Sequence, residues 1–240
     1  MSSLKVMIGA SACLFALAAP ALSADQAWFR FRGFSEDGTL AAWETGGIYD
    51  GSGFPWVRFE VLSTESSLTQ TEIQTVWEDY EDELPKKALQ ESIEREMSDV
   101  CREFGIIPGN IGDLLVYHPV TDLAAAPDSA VFCLQSYSPS YNSGEITVVL
   151  KSVPAEQKPG YPDWFPSPVS PVLEITAGGE KQCLFSEEQP PEQYEMCFGY
   201  RIAAIYSNPA DSRSLLVVLH AEEPGFEGSD GRFRVVSGSF

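Results

Sequence analysis

Basic side chains are scarce in this chain. Fifteen lysines and arginines stand against 35 aspartates and glutamates, a formal charge of −20. Phosphate backbones and anionic lipid surfaces are held by clustered Lys and Arg, so the composition argues against nucleic acid and acidic membranes as partners. Cationic ligands, metal ions or basic proteins stay open, and the simplest use of such a charge is a solubilising surface. Histidine is rarer still, with only His118 and His220. There is no Cys-x-x-Cys pair, no His-Glu-x-x-His helix, no Gly-x-Ser-x-Gly elbow and no Gly-rich phosphate loop carrying a lysine, so the usual zinc, hydrolase and nucleotide templates find no support. A Ser-His-Asp triad would have to use His118, which precedes Pro119, or His220, which ends the apolar run Leu215–Leu219. Both are read as hydrogen-bonded structural residues. A glycosidase needs only two spaced carboxylates, and with 35 acids such a pair says nothing. No cofactor and no bound metal are expected.

Long apolar runs are also lacking, with one exception at the start. Val6 to Ala19 is small and apolar, Lys5 charges its leading side, and Pro20 with Ala21-Leu22-Ser23-Ala24 supplies a helix break and small residues. The run is shorter than the ~18–20 apolar residues that span a bilayer. It is read as a secretory signal peptide over 1–24, cleaved after Ala24 or Ser23. The mature chain, 25–240, is then expected to be a soluble monomer of the periplasm or the medium, without a transmembrane segment. Cys13 leaves with the signal. Cys101, Cys133, Cys183 and Cys197 remain, and four cysteines allow three pairings. Nearest-neighbour disulfides are expected, Cys101–Cys133 and Cys183–Cys197, the second closing a Pro-Pro loop of a size that stabilises by ~3 kcal/mol.

The body reads mostly as strand. Trp28 to Phe34 alternates large apolar and polar residues, Gly33 to Gly38 turns the chain at Asp37-Gly38, and Thr39 to Trp43 and Trp56 to Leu62 follow as strands. A two-helix insertion is expected over about 66–105. Thr69-x-x-Glu72 looks like a capping box leading Ile73, Val76, Trp77 and Tyr80, and Pro85 opens a second helix carried by Leu89, Ile93, Met97, Val100, Cys101 and Phe104. Leu114 to His118 is an extra strand. The second half then repeats itself: Tyr137–Leu150 overlays Tyr206–Leu219 without a gap, sharing Tyr-Ser, a later Ser and Val-Val-Leu. Each copy follows an apolar strand and leads through Pro-Gly-aromatic to another strand. The prediction is a single mainly β domain over 25–240, built of three antiparallel β-meander units arranged as a sandwich or a partial propeller-like array.

Gly33-Phe34-Ser35-Glu36-Asp37-Gly38 with Ala41-Ala42-Trp43-Glu44, Asp50-Gly51-Ser52-Gly53-Phe54-Pro55, and Pro224-Gly225-Phe226-Glu227-Gly228-Ser229-Asp230-Gly231-Arg232-Phe233 together resemble a family of predicted secreted bacterial proteins, domain of unknown function 2259. The resemblance runs from the mature N-terminus to the last strand. It implies export and a shared fold, and it supplies no activity.

The functional lead is therefore the set of connections between the second and third strands of each unit, each rich in aromatics, glycines and acids. The first carries Tyr49, Asp50, Phe54 and Trp56. The second carries Tyr161, Asp163, Trp164 and Phe165, and the third Phe226, Glu227 and Asp230. If the units stack alike, these connections gather on one rim, where aromatic faces and carboxylates suit sugars or cationic groups. The leading reading is a non-catalytic exported protein binding a small ligand or envelope component through these residues. The alternative is a carboxylate-dependent hydrolase acting on cell-envelope polymer.

Overall fold

The computed structural model describes residues 25–49, 51–76, 86–122, 126–135, 142–156, 166–186, 196–225 and 228–240. Its elements, in chain order, are β1 (Trp28–Phe34), β2 (Leu40–Ile48), β3 (Pro55–Ser63), β4 (Thr69–Val76), α1 (Lys86–Glu103), β5 (Leu114–Tyr117), β6 (Ser129–Gln135), β7 (Asn142–Pro154), β8 (Val169–Ala177), β9 (Glu180–Ser186), β10 (Gly199–Ser207), β11 (Ser214–Pro224) and β12 (Ser229–Ser239). They form three antiparallel four-stranded sheets: sheet I, β1-β2-β3-β4; sheet II, β6-β7-β8-β9; and sheet III, β5-β10-β11-β12. Each holds one expected three-strand meander plus a fourth strand. Sheets I and II take it from the end of their own meander, whereas sheet III recruits β5 from far upstream to pair with β10.

Side-chain alternation decides how the sheets stack. One face of sheet I, through Ala42, Phe59 and Val61, receives Ile93, Met97 and Cys101 of α1. Its other face, through Ala41, Trp43 and Leu62, meets Ala203, Ala204, Leu216, Val218 and Val235 of sheet III. The far face of sheet III, through Ile202, Ile205, Leu215, Val217 and Leu219, packs on Ile146, Val148, Leu150, Leu173 and Ile175 of sheet II. The layer order is α1, sheet I, sheet III, sheet II, so of the two expected arrangements, sandwich or partial propeller-like array, the described sheets stack face to face and form no propeller. β11 is covered on both faces, which is why it reads as the unbroken run Leu215-Leu216-Val217-Val218-Leu219 instead of alternating. A register shift between Ile202 and Ala204 lets Ile202 and Ile205, three positions apart, face the same core, as a β-bulge does. The two echoing segments end in equivalent places: Val148 and Leu150 of β7, and Val217 and Leu219 of β11, enter that core from opposite sides.

Sheets I and III are also tied at their turn ends. Gly38 takes φ +71°, as the Asp-Gly turn requires. Its carbonyl accepts hydrogen bonds from Thr64 Oγ1 and from Asn208 Nδ2 at the β10–β11 turn, both at 2.7 Å. The tight turns of the two units thus lie together, which puts their longer connections together at the other end.

Two expectations need correction. The insertion holds one described helix, α1, and the segment read as a capped helix is strand β4. Thr71, Ile73 and Thr75 alternate along it and pair with Val61, Phe59 and Val57; β-branched side chains at period two favour the sheet over the cap. Trp77, Tyr80 and Pro85 lie outside the described residues. The second correction concerns the cysteines, all four of which are free. Cys101 is buried between α1 and sheet I, whereas Cys133 is exposed on β6, an edge strand of sheet II, so two sheets separate that expected pair. Cys183 is exposed on β9, at the opposite edge of sheet II, and Cys197 is buried in the core between sheets II and III. Neighbours in sequence are placed on different layers or opposite sides of one layer.

Candidate functional site

The connection end of sheets I and III is organised around one arginine. Tyr49, at the exit of β2, stacks on Trp56 of β3 with ring centroids 5.6 Å apart. The guanidinium of Arg232, from β12, lies 5.1 Å from the Trp56 ring centre and 6.0 Å from that of Tyr49, within cation–π range. The same guanidinium binds Asp25 and Asp230, each at 2.9 Å, and reaches Glu223 at 4.0 Å. Trp56 Nε1 donates to Asp25 at 3.2 Å, and Gln74 Nε2 donates to the Tyr49 hydroxyl at 2.8 Å. Residues of the first and third connections are therefore brought into one cluster.

Asp25 seats the segment leading into β1 in this cluster. Its backbone N–H donates to Asp230 Oδ1 at 3.1 Å, its carbonyl accepts from Gly231 N at 2.8 Å, and Ala27 N donates back to Gly231 O at 3.0 Å. Bare glycine makes the seat possible. A Cβ at Gly47 would stand 2.7 Å from Asp25 Oδ1, and one at Gly231 would collide with Gln26 Oε1 and His220 Nε2.

The root of the second connection lies alongside. Val169, which opens β8, donates its N–H to the Cys197 carbonyl, and Cys197 Sγ lies 3.8 Å from Glu223 Oε1. Burial, together with neighbouring Glu223, pushes the Cys197 thiol up to about 12, and burial also raises the Glu223 carboxyl above its ordinary range.

Of the sequence candidates, Tyr49 and Phe54 are partly exposed on the turn carrying exposed Gly51 and Ser52. Trp56 and Asp230 are buried, 4% and 8% exposed. Asp50, Tyr161, Asp163, Trp164, Phe165, Phe226 and Glu227 lie outside the described residues. Sequence reading missed Asp25 and Arg232. A signal was available for the second, a rare basic residue set inside the acidic Gly-Phe-Glu-Gly-Ser-Asp-Gly-Arg run.

Two further groups lie apart from the Arg232 cluster. Glu60 of β3 is 2% exposed between sheets I and III, accepting a 3.2 Å hydrogen bond from Trp43 Nε1. Burial pushes its carboxyl up to about 7. His118 and His220, far apart in sequence, line one small cavity with Pro119, Pro127 and Arg201, of about 10 Å³, room for about one water molecule. Neither ring nitrogen of His220 finds a protein partner, which corrects the expectation of a hydrogen bond there, and His118 leaves its Nδ1 without one. Burial, with a smaller effect of Arg201, lowers His220 to about 4. The ring is neutral at ordinary pH and packs edge-on against Phe233 at 5.4 Å.

These features define a layered β-protein whose segment around Asp25 is built into the fold and whose aromatic end is braced by the Arg232 guanidinium. The chain belongs to the family described as predicted secreted protein (DUF2259), which it matches over residues 42–239. No characterised protein and no solved structure matches it. Membership places the chain among proteins predicted to be secreted, as the resemblance implied. No helix among the described residues is long and apolar enough to cross a membrane.

Proposed function

We propose that this chain is an exported, non-catalytic protein that holds a ligand or an envelope component on the aromatic ledge at the connection end of sheets I and III. Tyr49 and Phe54 make the contact; Trp56, Asp25, Asp230 and Arg232 fix the ledge from below. The observation that carries the reading is the Tyr49–Trp56 stack braced by Arg232. A partly exposed ring held on two sides loses little freedom on binding, and preorganisation of that kind raises affinity. An aromatic face in an acidic setting suits a sugar ring or a cationic group. The carboxylates gathered here do not favour hydrolysis. Asp25 and Asp230 are both engaged by Arg232, and Glu60, whose carboxyl burial pushes up to about 7, is sealed between sheets where no polymer reaches it.

The test is retention of purified protein on isolated cell-envelope material. Tyr49→Ala abolishes retention, while Glu94→Ala with Glu96→Ala, on the exposed side of α1, leaves it intact. Unchanged retention of Tyr49→Ala removes the ledge from the account. Equal loss in both variants assigns retention to bulk charge.

A further inference from the structure

We infer that processing takes place at the Ala24–Asp25 bond, and that the α-ammonium group it creates on Asp25 is the missing cation of the Arg232 cluster. Among the described residues the cluster holds three carboxylates, Asp25, Asp230 and Glu223, around one guanidinium. Arg58, the other basic group acting on Glu223, is paired with Glu72 at 3.2 Å. Asp25 and Asp230 are both buried, 7% and 8% exposed. Enclosed carboxylates in excess of their cations repel one another and lose hydration, so the site calls for one more positive charge. The atom in position to carry it is the backbone nitrogen of Asp25, 3.1 Å from Asp230 Oδ1.

Hydrolysis of the Ala24–Asp25 bond by a signal peptidase takes up one water. Ala24 departs with the new carboxylate, and Asp25 keeps an amine that binds a proton at neutral pH, its ordinary pKa being about 7.7–8.0. An amide with one donor thereby becomes an ammonium with three, already aimed at a carboxylate. Cleavage one residue earlier, after Ser23, would leave an amide at this point and put the charge outside the contact. The sequence alone allows both positions; the seat of Asp25, shaped by Gly47 and Gly231, selects one. Processing in this account strengthens the seam between sheets I and III, because Asp25 bonds Trp56 and Ile48 of sheet I and Asp230, Gly231 and Arg232 of sheet III at once. This inference does not depend on ligand binding at the ledge.

The test uses full mature protein. Intact mass of the exported chain gives Asp25 as the first residue; a chain starting at Ala24 or earlier overturns the proposal. Proteins released from a cleavable tag as Asp25–Phe240 or with Ser-Ala retained before Asp25 are then melted, each with and without Asp230→Asn. The Asp25-first protein melts higher than the extended one by roughly 2–4 °C or more, the shift of about 1 kcal/mol at this size, and Asp230→Asn erases most of the difference. An extension without effect overturns the proposal, as does one equally harmful in both backgrounds. Should Asp230→Asn fail to fold, the α-amino pKa decides, read by NMR after ¹³C reductive methylation of the wild-type protein. A value raised above the ordinary range supports the ion pair, and an ordinary value refutes it.

Discussion

The two faces of sheet III meet their neighbours in different ways. Towards sheet II the contact is built from large aliphatic side chains, Ile202, Ile205, Leu215, Val217 and Leu219 against Ile146, Val148, Leu150, Leu173 and Ile175. The polar groups that line it include the Cys197 thiol, pushed up to about 12, Tyr200, which burial also raises, and Arg234, 5.6 Å from the Phe185 ring centre. Towards sheet I the apolar contact is thinner, with alanines at 41, 203 and 204. That seam also encloses Glu60 and His220, whose ionisation burial shifts to about 7 and about 4, and it ends on the Asp25–Asp230–Arg232 cluster. One face is a packing seam held by aliphatic contact. The other is a polar seam whose strength varies with protonation, and it is the seam that supports the candidate ledge.

The largest expected effect breaks the polar seam at its brace. Arg232→Ala leaves Asp25, Asp230 and Glu223 without their guanidinium and should destabilise by about 3–5 kcal/mol, measured by urea unfolding at pH 7. Leu219→Ala acts on the packing seam and should cost about 2–5 kcal/mol, by an amount that does not change between pH 5 and pH 8.

Glu60→Gln sharpens the contrast. The folded protein holds the Glu60 proton up to about pH 7, while the unfolded chain releases it near 4.5, so this group removes stability as pH rises from 4.5 to 7. His220 works the other way. Its folded value lies near 4 against 6.5 unfolded, so its contribution is complete above pH 6.5 and is lost as pH falls towards 4. The variant should match wild type below pH 4.5 and exceed it at pH 8 by roughly 3 kcal/mol at most, the equivalent of the Glu60 shift at ~1.4 kcal/mol per unit. A constant difference across that range would show that Glu60 is ionised in the fold. The smallest effect is chemical: iodoacetamide should label Cys133 and Cys183 in the native state, and Cys101 and Cys197 only after unfolding, since burial raises both latter thiols.

The strands and the repeat were legible because alternation and Asp-Gly turns are local signals; Val148 and Leu150 could be matched to Val217 and Leu219 by eye. Strand β4 was not, because Thr69-x-x-Glu72 satisfies a helix cap and Thr71, Ile73, Thr75 satisfies a strand, and only pairing with β3 decides between them. Cysteine pairing was misread because spacing along the chain says nothing about which layer a residue enters. At the site, Tyr49, Phe54, Trp56 and Asp230 could be singled out as aromatics and acids near glycines. Their burial could not, and nor could the role of Asp25, which depends on a segment some two hundred residues distant in the chain. Arg232 was hidden by its own logic: a lone base among acids looks like dilution until the acids are seen to converge on it.

Native-state hydrogen exchange at pH 6 and pH 8, corrected for intrinsic rates, tests the two-seam account most directly. Opening the polar seam hydrates Glu60 and lets it ionise, so protection in β2 and β3 should fall on going to pH 8 while protection in β7 and β8 stays unchanged, and Glu60→Gln should remove the difference. Equal loss of protection in the two sheets, or a loss confined to β7 and β8, would contradict it.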